Sequence, residues 1–158
     1  MTGNETEDTS ARMERLIRTY FEGCNEANFE KMTSCLTPDA VHYFPPDMYD
    51  GPWRGGDTIA LGWQAAMEKL GSYWVIDRLV TDAQRGEAVI EWCHYKTKLG
   101  VALRGAEWYE FDDETGLISE LRAYYASPQD KGLQRLELGG MDYQARGYST
   151  APPPGARE

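Results

Sequence analysis

Apolar residues near the start of the chain recur three and four positions apart. Met13, Leu16, Ile17, Tyr20, Phe21 and Cys24 fall on one stripe of a helix. Ser10 can cap its start, and Gly23 and Asn25 sit where it should end. A second short helix is predicted from Asn28 to Leu36, with Phe29, Met32 and Leu36 inward, broken by Thr37-Pro38-Asp39. Ala40 to Phe44 reads as a first strand stopped by Pro45-Pro46, and the glycine-rich stretch Asp47 to Gly56 as a loop. Asp57 can cap a third helix carrying Ile59, Trp63, Ala66, Met67 and Leu70, closed by Gly71. From Tyr73 onward the period changes to two. Strands are predicted at Tyr73–Thr81, Glu87–Lys98, Val101–Phe111 and Leu117–Ala126, joined by short turn-like links suited to antiparallel neighbours.

Helices followed by a meander of antiparallel strands argue for an α+β domain, with the helices covering one face of a curved sheet. Such a sheet leaves a concave pocket, a usual place for small ligands. Residues 1–10 are expected to be disordered, 11–127 to form the domain, and 128–158 to be an extension. Its anchors Leu133, Leu136 and Leu138 would cap the pocket or lie on a partner, and its end would be flexible.

Length and charge narrow the options. The chain has 158 residues, 41% apolar and 12% aromatic, enough for one core that folds unaided. Its net charge of -10 opposes phosphate backbones and anionic lipid, so neither nucleic acid nor membrane is expected as a partner. No apolar run is long enough to span a bilayer, and the polar, acidic first residues carry no secretory signal. Cys24, Cys35 and Cys93 lack metal-type spacing, and an odd count of thiols suits a reduced, cytoplasmic setting.

Alternation sorts the strands into faces. In Val101–Phe111 the inward set is Val101, Leu103, Gly105, Glu107, Tyr109 and Phe111, with Glu107 its only charge. Burial disfavours an ionised carboxylate, so an acid on an apolar face is a functional candidate. The alternative, that Glu107 pairs with an arginine or sits at a strand bend, stays open. The last strand points Ser119, Leu121, Ala123 and Tyr125 inward. The first groups Ala40, His42 and Phe44. Glu87–Lys98 is ambiguous, with Ile90, Trp92, His94 and Lys96 on one face and Val89, Glu91, Cys93, Tyr95 and Thr97 on the other. His42 and His94, the only two histidines, could both face one cavity and move protons near neutral pH, or serve as hydrogen-bonded wall residues. Tyr20 on the helix stripe needs a partner for its hydroxyl, which backbone alone could supply. The histidines lack the close carboxylate spacing of a metal site, so no metal is expected, and no phosphate loop or nucleophile elbow is present.

Longer motifs carry a family likeness. Arg18-Thr-Tyr-Phe-Glu-Gly-Cys-Asn-Glu-Ala-Asn-Phe29, Pro38-Asp-Ala-Val-His-Tyr-Phe-Pro45, Gly51-Pro-Trp-Arg-Gly55, Glu107-Trp-Tyr-Glu-Phe111 and Gly116-Leu-Ile-Ser-Glu-Leu-Arg-Ala-Tyr-Tyr125 stand in order. Over about residues 12 to 126 the chain resembles the SnoaL-like branch of the nuclear-transport-factor-two-like superfamily, which includes ketosteroid isomerase, polyketide cyclases and limonene epoxide hydrolase, and the resemblance implies a cone-shaped curved antiparallel sheet wrapped around the N-terminal helices with the pocket inside the cone. The resemblance places Tyr20 at ketosteroid isomerase's oxyanion-hole tyrosine and Glu107 at the neutral acid that shares the hole. That family's aspartate base aligns with Phe44, which cannot take a proton. His42, two residues back, is the nearest replacement and His94 the second. The epoxide hydrolase's Arg–Asp–Asp set falls near Trp92, His94 and Ala123 and is absent.

The reading that follows is a cofactor-independent isomerase, cyclase or dehydratase acting through an enol or enolate. Its substrate would be a small apolar or aromatic carbonyl compound of specialised metabolism. Tyr20, Glu107, His42 and His94 are the catalytic candidates, and Phe44, Trp63, Trp92, Tyr109 and Tyr125 the substrate-binding ones. A non-catalytic binding or dimerisation module, and a hydrolase using histidine-activated water, are the alternatives. The outer sheet face, with Arg104, Trp108, Glu120, Arg122 and Tyr124, is expected to pair two copies into a homodimer.

Overall fold

Helix α1 spans Gly3–Glu26 and buries Met13, Ile17, Tyr20, Phe21 and Cys24 on the predicted stripe. The structure is a computed structural model describing residues 3–45, 48–125, 142–145 and 147–156. The helix begins ahead of Ser10, so the stretch expected to be disordered is helical from Gly3 onward. It also runs through both residues expected to stop it. Gly23 serves close packing instead, since a Cβ there would lie 2.9 Å from Met32 Cγ. Asn25 acts as a clasp: its Nδ2 donates to the Trp74 carbonyl at 2.9 Å, and its Oδ1 accepts from the Trp74 amide at 2.7 Å. Asn28 then caps the short helix α2 (Phe29–Thr33) by accepting from the Lys31 amide at 3.0 Å.

The strands are β1 (Leu36–Tyr43), β2 (Trp53–Arg54), β3 (Ser72–Asp82), β4 (Glu87–Lys96), β5 (Val101–Phe111) and β6 (Ile118–Tyr124), with α3 (Gly56–Leu70) between β2 and β3. They form one six-stranded sheet in the order β2-β1-β6-β5-β4-β3. The α+β expectation holds, but the sheet is mixed rather than wholly antiparallel, because β1 lies parallel to β6. Parallel neighbours need a long crossover, and here β2 to β5 supply it. β1 starts at Leu36, so Thr37-Pro38-Asp39 lies inside a strand instead of ending a helix. The ladder jumps from Leu36↔Ile118 to Val41↔Glu120, a bulge that tolerates the missing Pro38 amide. β2, expected as loop, pairs Trp53 with His42. Gly55, at φ 97, precedes α3, and Asp57 sits in its first turn rather than at the cap. β4 ends at Lys96 in a single 3-10 turn, Thr97–Leu99, and β6 ends two residues short of Ala126.

α1 and α3 fill the concave face, and the main core lies between them and the sheet. The convex face is partly covered by the chain's own extension. Ser149 donates its amide to Asp77 Oδ1 at 2.7 Å and accepts from the Arg104 guanidinium through its carbonyl. Its hydroxyl shares a hydrogen bond with Tyr95. Arg104 lies 4.4 Å from the Tyr143 ring centroid, and Arg78 lies 4.4 Å from that of Tyr148. Tyr143, Tyr148 and Ser149 therefore lie on the convex face, and Leu133, Leu136 and Leu138 lie outside the described residues. Arg104, placed on the pairing face by alternation, is buried beneath Tyr143 and Ser149, whereas Trp108 and Tyr124 remain exposed. No helix among the described residues is long and apolar enough to cross a membrane.

Candidate active site

A cavity of about 40 Å³ opens between the concave sheet face and the helices, with room for about three water molecules. Its rings form a row: Tyr49 to Phe44 at 4.5 Å between centroids, Phe44 to Trp63 at 5.9 Å, Trp63 to Trp74 at 5.2 Å and Trp74 to His94 at 4.3 Å. The space is thus a slot between aromatic side chains, with its polar groups set at particular points.

The central pair comes from two strands separated in the sheet by β6. His42 Nε2 stands 3.4 Å from Glu107 Oε1, with 1% and 7% of the two side chains exposed. His42 Nδ1 lies 3.1 Å from the Tyr43 carbonyl oxygen. A carbonyl only accepts, so that contact holds a proton on Nδ1. In the neutral ring Nε2 therefore presents its lone pair toward the carboxyl group, and it makes no aligned hydrogen bond in the described residues. One added proton between Nε2 and Oε1 turns this opposition into a charge-assisted bond, whichever atom carries it. Glu107 Oε1 also accepts from the Tyr109 hydroxyl at 2.9 Å. Phe44 stacks on the imidazole at 4.0 Å and 9°, covering its other side.

Tyr20 lines the same cavity, and its hydroxyl oxygen accepts from Trp63 Nε1 at 2.6 Å. With its oxygen occupied by that donor, the phenol proton turns to the sulfur of Cys24, a weak acceptor that a stronger one can displace. Burial, with Cys24 and Glu107 adding to it, keeps the phenol pKa well above its ordinary value. Tyr20 is thus a neutral donor at any physiological pH.

His94 is held differently. Ser72 Oγ gives its proton to the Ala66 carbonyl at 3.2 Å, so His94 Nε2 donates to Ser72 at 2.7 Å. Burial, then the charge of Lys96, pushes its pKa down to about 3. A ring so weakly basic takes no proton from a carbon acid at neutral pH.

The other sequence candidates divide. Phe44, Trp63, Trp92 and Tyr125 all line the cavity. Tyr109 does not: it is fully buried behind Glu107, and its role is to hold the carboxylate. The uncertain face of β4 is settled, with Trp92, His94 and Lys96 in the cavity and Cys93 and Tyr95 on the convex side. Trp74, Cys24, Tyr49 and Lys96 were not singled out from the sequence, although Lys96 shares the two-residue period of Trp92 and His94. Trp92 brings a buried indole N–H with no acceptor among the described residues. Together with His42 Nε2 it gives the cavity walls two unsatisfied polar atoms, a condition that a bound acceptor or proton relieves. No three His, Cys, Asp or Glu side chains among the described residues are gathered closely enough to hold a metal ion.

The SnoaL-like domain family matches residues 17–121, which contain all of these groups except Tyr125. The chain belongs to the SnoaL-like family. A crystal structure of a protein of unknown function with a cystatin-like fold from Methylobium petroleophilum PM1 is 57% identical, covering 91% of this chain and 95% of that one, with a TM-score of 0.74. A candidate ketosteroid isomerase from Kribbella flavida is 16% identical over 94% of this chain and 96% of its own, with a TM-score of 0.64. A candidate polyketide cyclase from Xanthomonas campestris is 18% identical over 75% and 93%, with a TM-score of 0.58. At these identities the last two share the NTF2-like fold with the chain. No curated protein is significantly similar in sequence. Among SnoaL-like proteins the fold is a cofactor-free, enzyme-like scaffold, and the chemistry of this member has to come from its own cavity.

Proposed function

We propose that this SnoaL-like protein is an acid–base enzyme that works without a cofactor and enolises a small, largely apolar carbonyl compound, which it then isomerises, cyclises or dehydrates. The observation that carries the reading is the buried His42–Glu107 pair, with Nε2 3.4 Å from Oε1 and the Nδ1 proton pinned to backbone. The unprotonated pair takes a proton from the carbon next to the carbonyl. The C–H bond breaks, an N–H bond forms at Nε2, and the C–H electron pair forms the enolate C=C as charge moves onto oxygen. Glu107 steadies the imidazolium that results. Tyr20 donates its hydrogen bond to the developing oxyanion, a role worth a few kcal/mol in a dry site. Return of the proton to a different carbon completes an isomerisation, and loss of a leaving group completes a dehydration. Glu107 on this reading is the partner of the base rather than a second oxyanion donor.

The test is exchange of α-hydrogens for deuterium in a panel of small aromatic ketones in heavy water, followed by NMR. His42→Gln and Glu107→Gln should each slow exchange by roughly 10²–10⁴-fold, and Tyr20→Phe should weaken binding of phenolic enolate mimics. Exchange that proceeds equally in wild type and His42→Gln would end the proposal. A histidine-activated water is the second reading, since the cavity holds water-sized space beside His42. Incorporation of labelled oxygen from water into product distinguishes it.

A further inference from the structure

Lys96 is the one cation among the described residues lining the cavity, and the enolisation scheme has no use for it. It is half-buried, and among the described residues its ammonium has neither an ion-pair nor a hydrogen-bond partner. Burial alone moves its pKa, downward, with no carboxylate near enough to oppose the shift. The neighbouring lysine is engaged, since Lys98 Nζ donates to the Glu68 carbonyl. In a chain of net charge -10, an unpaired cation placed inside an aromatic slot is costly unless something pairs with it.

Its position relative to the acid–base pair is set by the strand register. Lys96 lies opposite Val101, and Glu107 lies opposite Ile90. Six residues of β4 separate the two levels, roughly 20 Å between Cα atoms, and both side chains reach inward. The ring row from Phe44 through Trp63 and Trp74 to His94 runs from the acid–base pair toward Lys96, whose charge acts on His94.

We infer that the substrate is amphipathic: a flat, elongated aromatic body carrying a carboxylate that pairs with Lys96, with the carbonyl to be enolised at the opposite end. This rests on the enolisation reading for its carbonyl end and stands on Lys96 for the other.

The experiment compares two rigid probes by titration calorimetry, 2-naphthol and 6-hydroxy-2-naphthoic acid, which share a phenolic end and differ by the carboxylate. The acid should bind about tenfold tighter to wild type, as one charged hydrogen bond allows. Lys96→Gln should abolish that advantage while changing the affinity for 2-naphthol less than twofold, and Lys96→Arg should keep most of it. Equal affinities in wild type, an advantage that survives Lys96→Gln, or no binding of either probe would overturn the inference. So would a covalent adduct at Lys96 after borohydride treatment with an aromatic ketone, which would make the amine a nucleophile instead of an anchor. Because both probes carry the phenol, indifference of 2-naphthol binding to Tyr20→Phe and Glu107→Gln would count against enolisation alone and leave the carboxylate comparison intact.

Discussion

Removing the Asp77 carboxylate should cost most stability while Tyr143 and Ser149 cover its partner, Arg104. Arg104 Nη1 lies 3.1 Å from Asp77 Oδ2, and the two side chains are 8% and 3% exposed. Burial holds the Asp77 carboxyl above its ordinary range despite Arg104, so the intact pair itself contributes little. Asp77→Ala takes one carboxylate away from a covered guanidinium and removes the acceptor of the Ser149 amide. Breaking a buried pair from one side costs about 3–5 kcal/mol. At about 2–4 °C per kcal/mol for a domain of this size, the melting temperature should fall by about 6–20 °C. The control is the same substitution in a chain ending at residue 141, which keeps the whole family domain. There Arg104 meets water, and the loss should shrink to about 1 kcal/mol or less. Urea unfolding at pH 7 reads all four proteins, and their double-mutant cycle isolates the coupling. Equal costs in the long and short chains would refute the account of Tyr143 and Ser149 as a cover that desolvates Arg104.

Other predictions follow from single contacts. His94, with its pKa lowered to about 3 by burial, binds protons more weakly folded than unfolded, so its contribution is present above pH 6.5 and is lost as pH falls toward 3. Wild type should lose about 2 kcal/mol between pH 6.5 and 5 from this group, and His94→Gln should flatten that part of the urea-derived stability curve; an unchanged slope would count against it. A Cβ at Gly62 would lie 2.4 Å from Trp53 Cζ3, so Gly62→Ala should cost about 1–3 kcal/mol and shift tryptophan emission; an unaltered spectrum and stability would mean the ring is not confined there. The exposed Trp108 and Tyr124 are expected to pair two copies, giving twice the chain mass by light scattering, with Tyr124→Glu restoring the single mass; a wild-type monomer at micromolar concentration would rule that out.

The helical stripe of α1 was legible because one side of the helix is buried, which keeps the period clean, and the inward set of β5 because Arg104, Trp108 and Glu110 mark its other face as polar or amphipathic. β4 was not, and the reason is physical. Tyr143, Tyr148 and Ser149 lie over the convex face, so Cys93 and Tyr95 are as buried as Trp92 and His94, and alternation loses its contrast. Local rules failed at Gly23, Asn25 and Pro38 because tertiary contacts decided their conformations: a close helix pair, a backbone clasp and a bulge. At the site, His42, Phe44, Trp63, Trp92 and Tyr125 could be placed from alternation or from the family likeness. That Tyr109 stands behind Glu107 could not, since one strand face holds both core and cavity positions.

The parallel β1–β6 pairing bears on how the molecule is made. The meander β3 to β6 can assemble from sequence neighbours, but β1, paired locally with β2, joins that meander through β6, the last strand to leave the ribosome. His42 rides on β1 and Glu107 on β5. The two groups therefore meet after the rest of the sheet exists, and a nascent chain arrested before Ile118 carries every residue of the acid–base pair yet has no means of bringing them together.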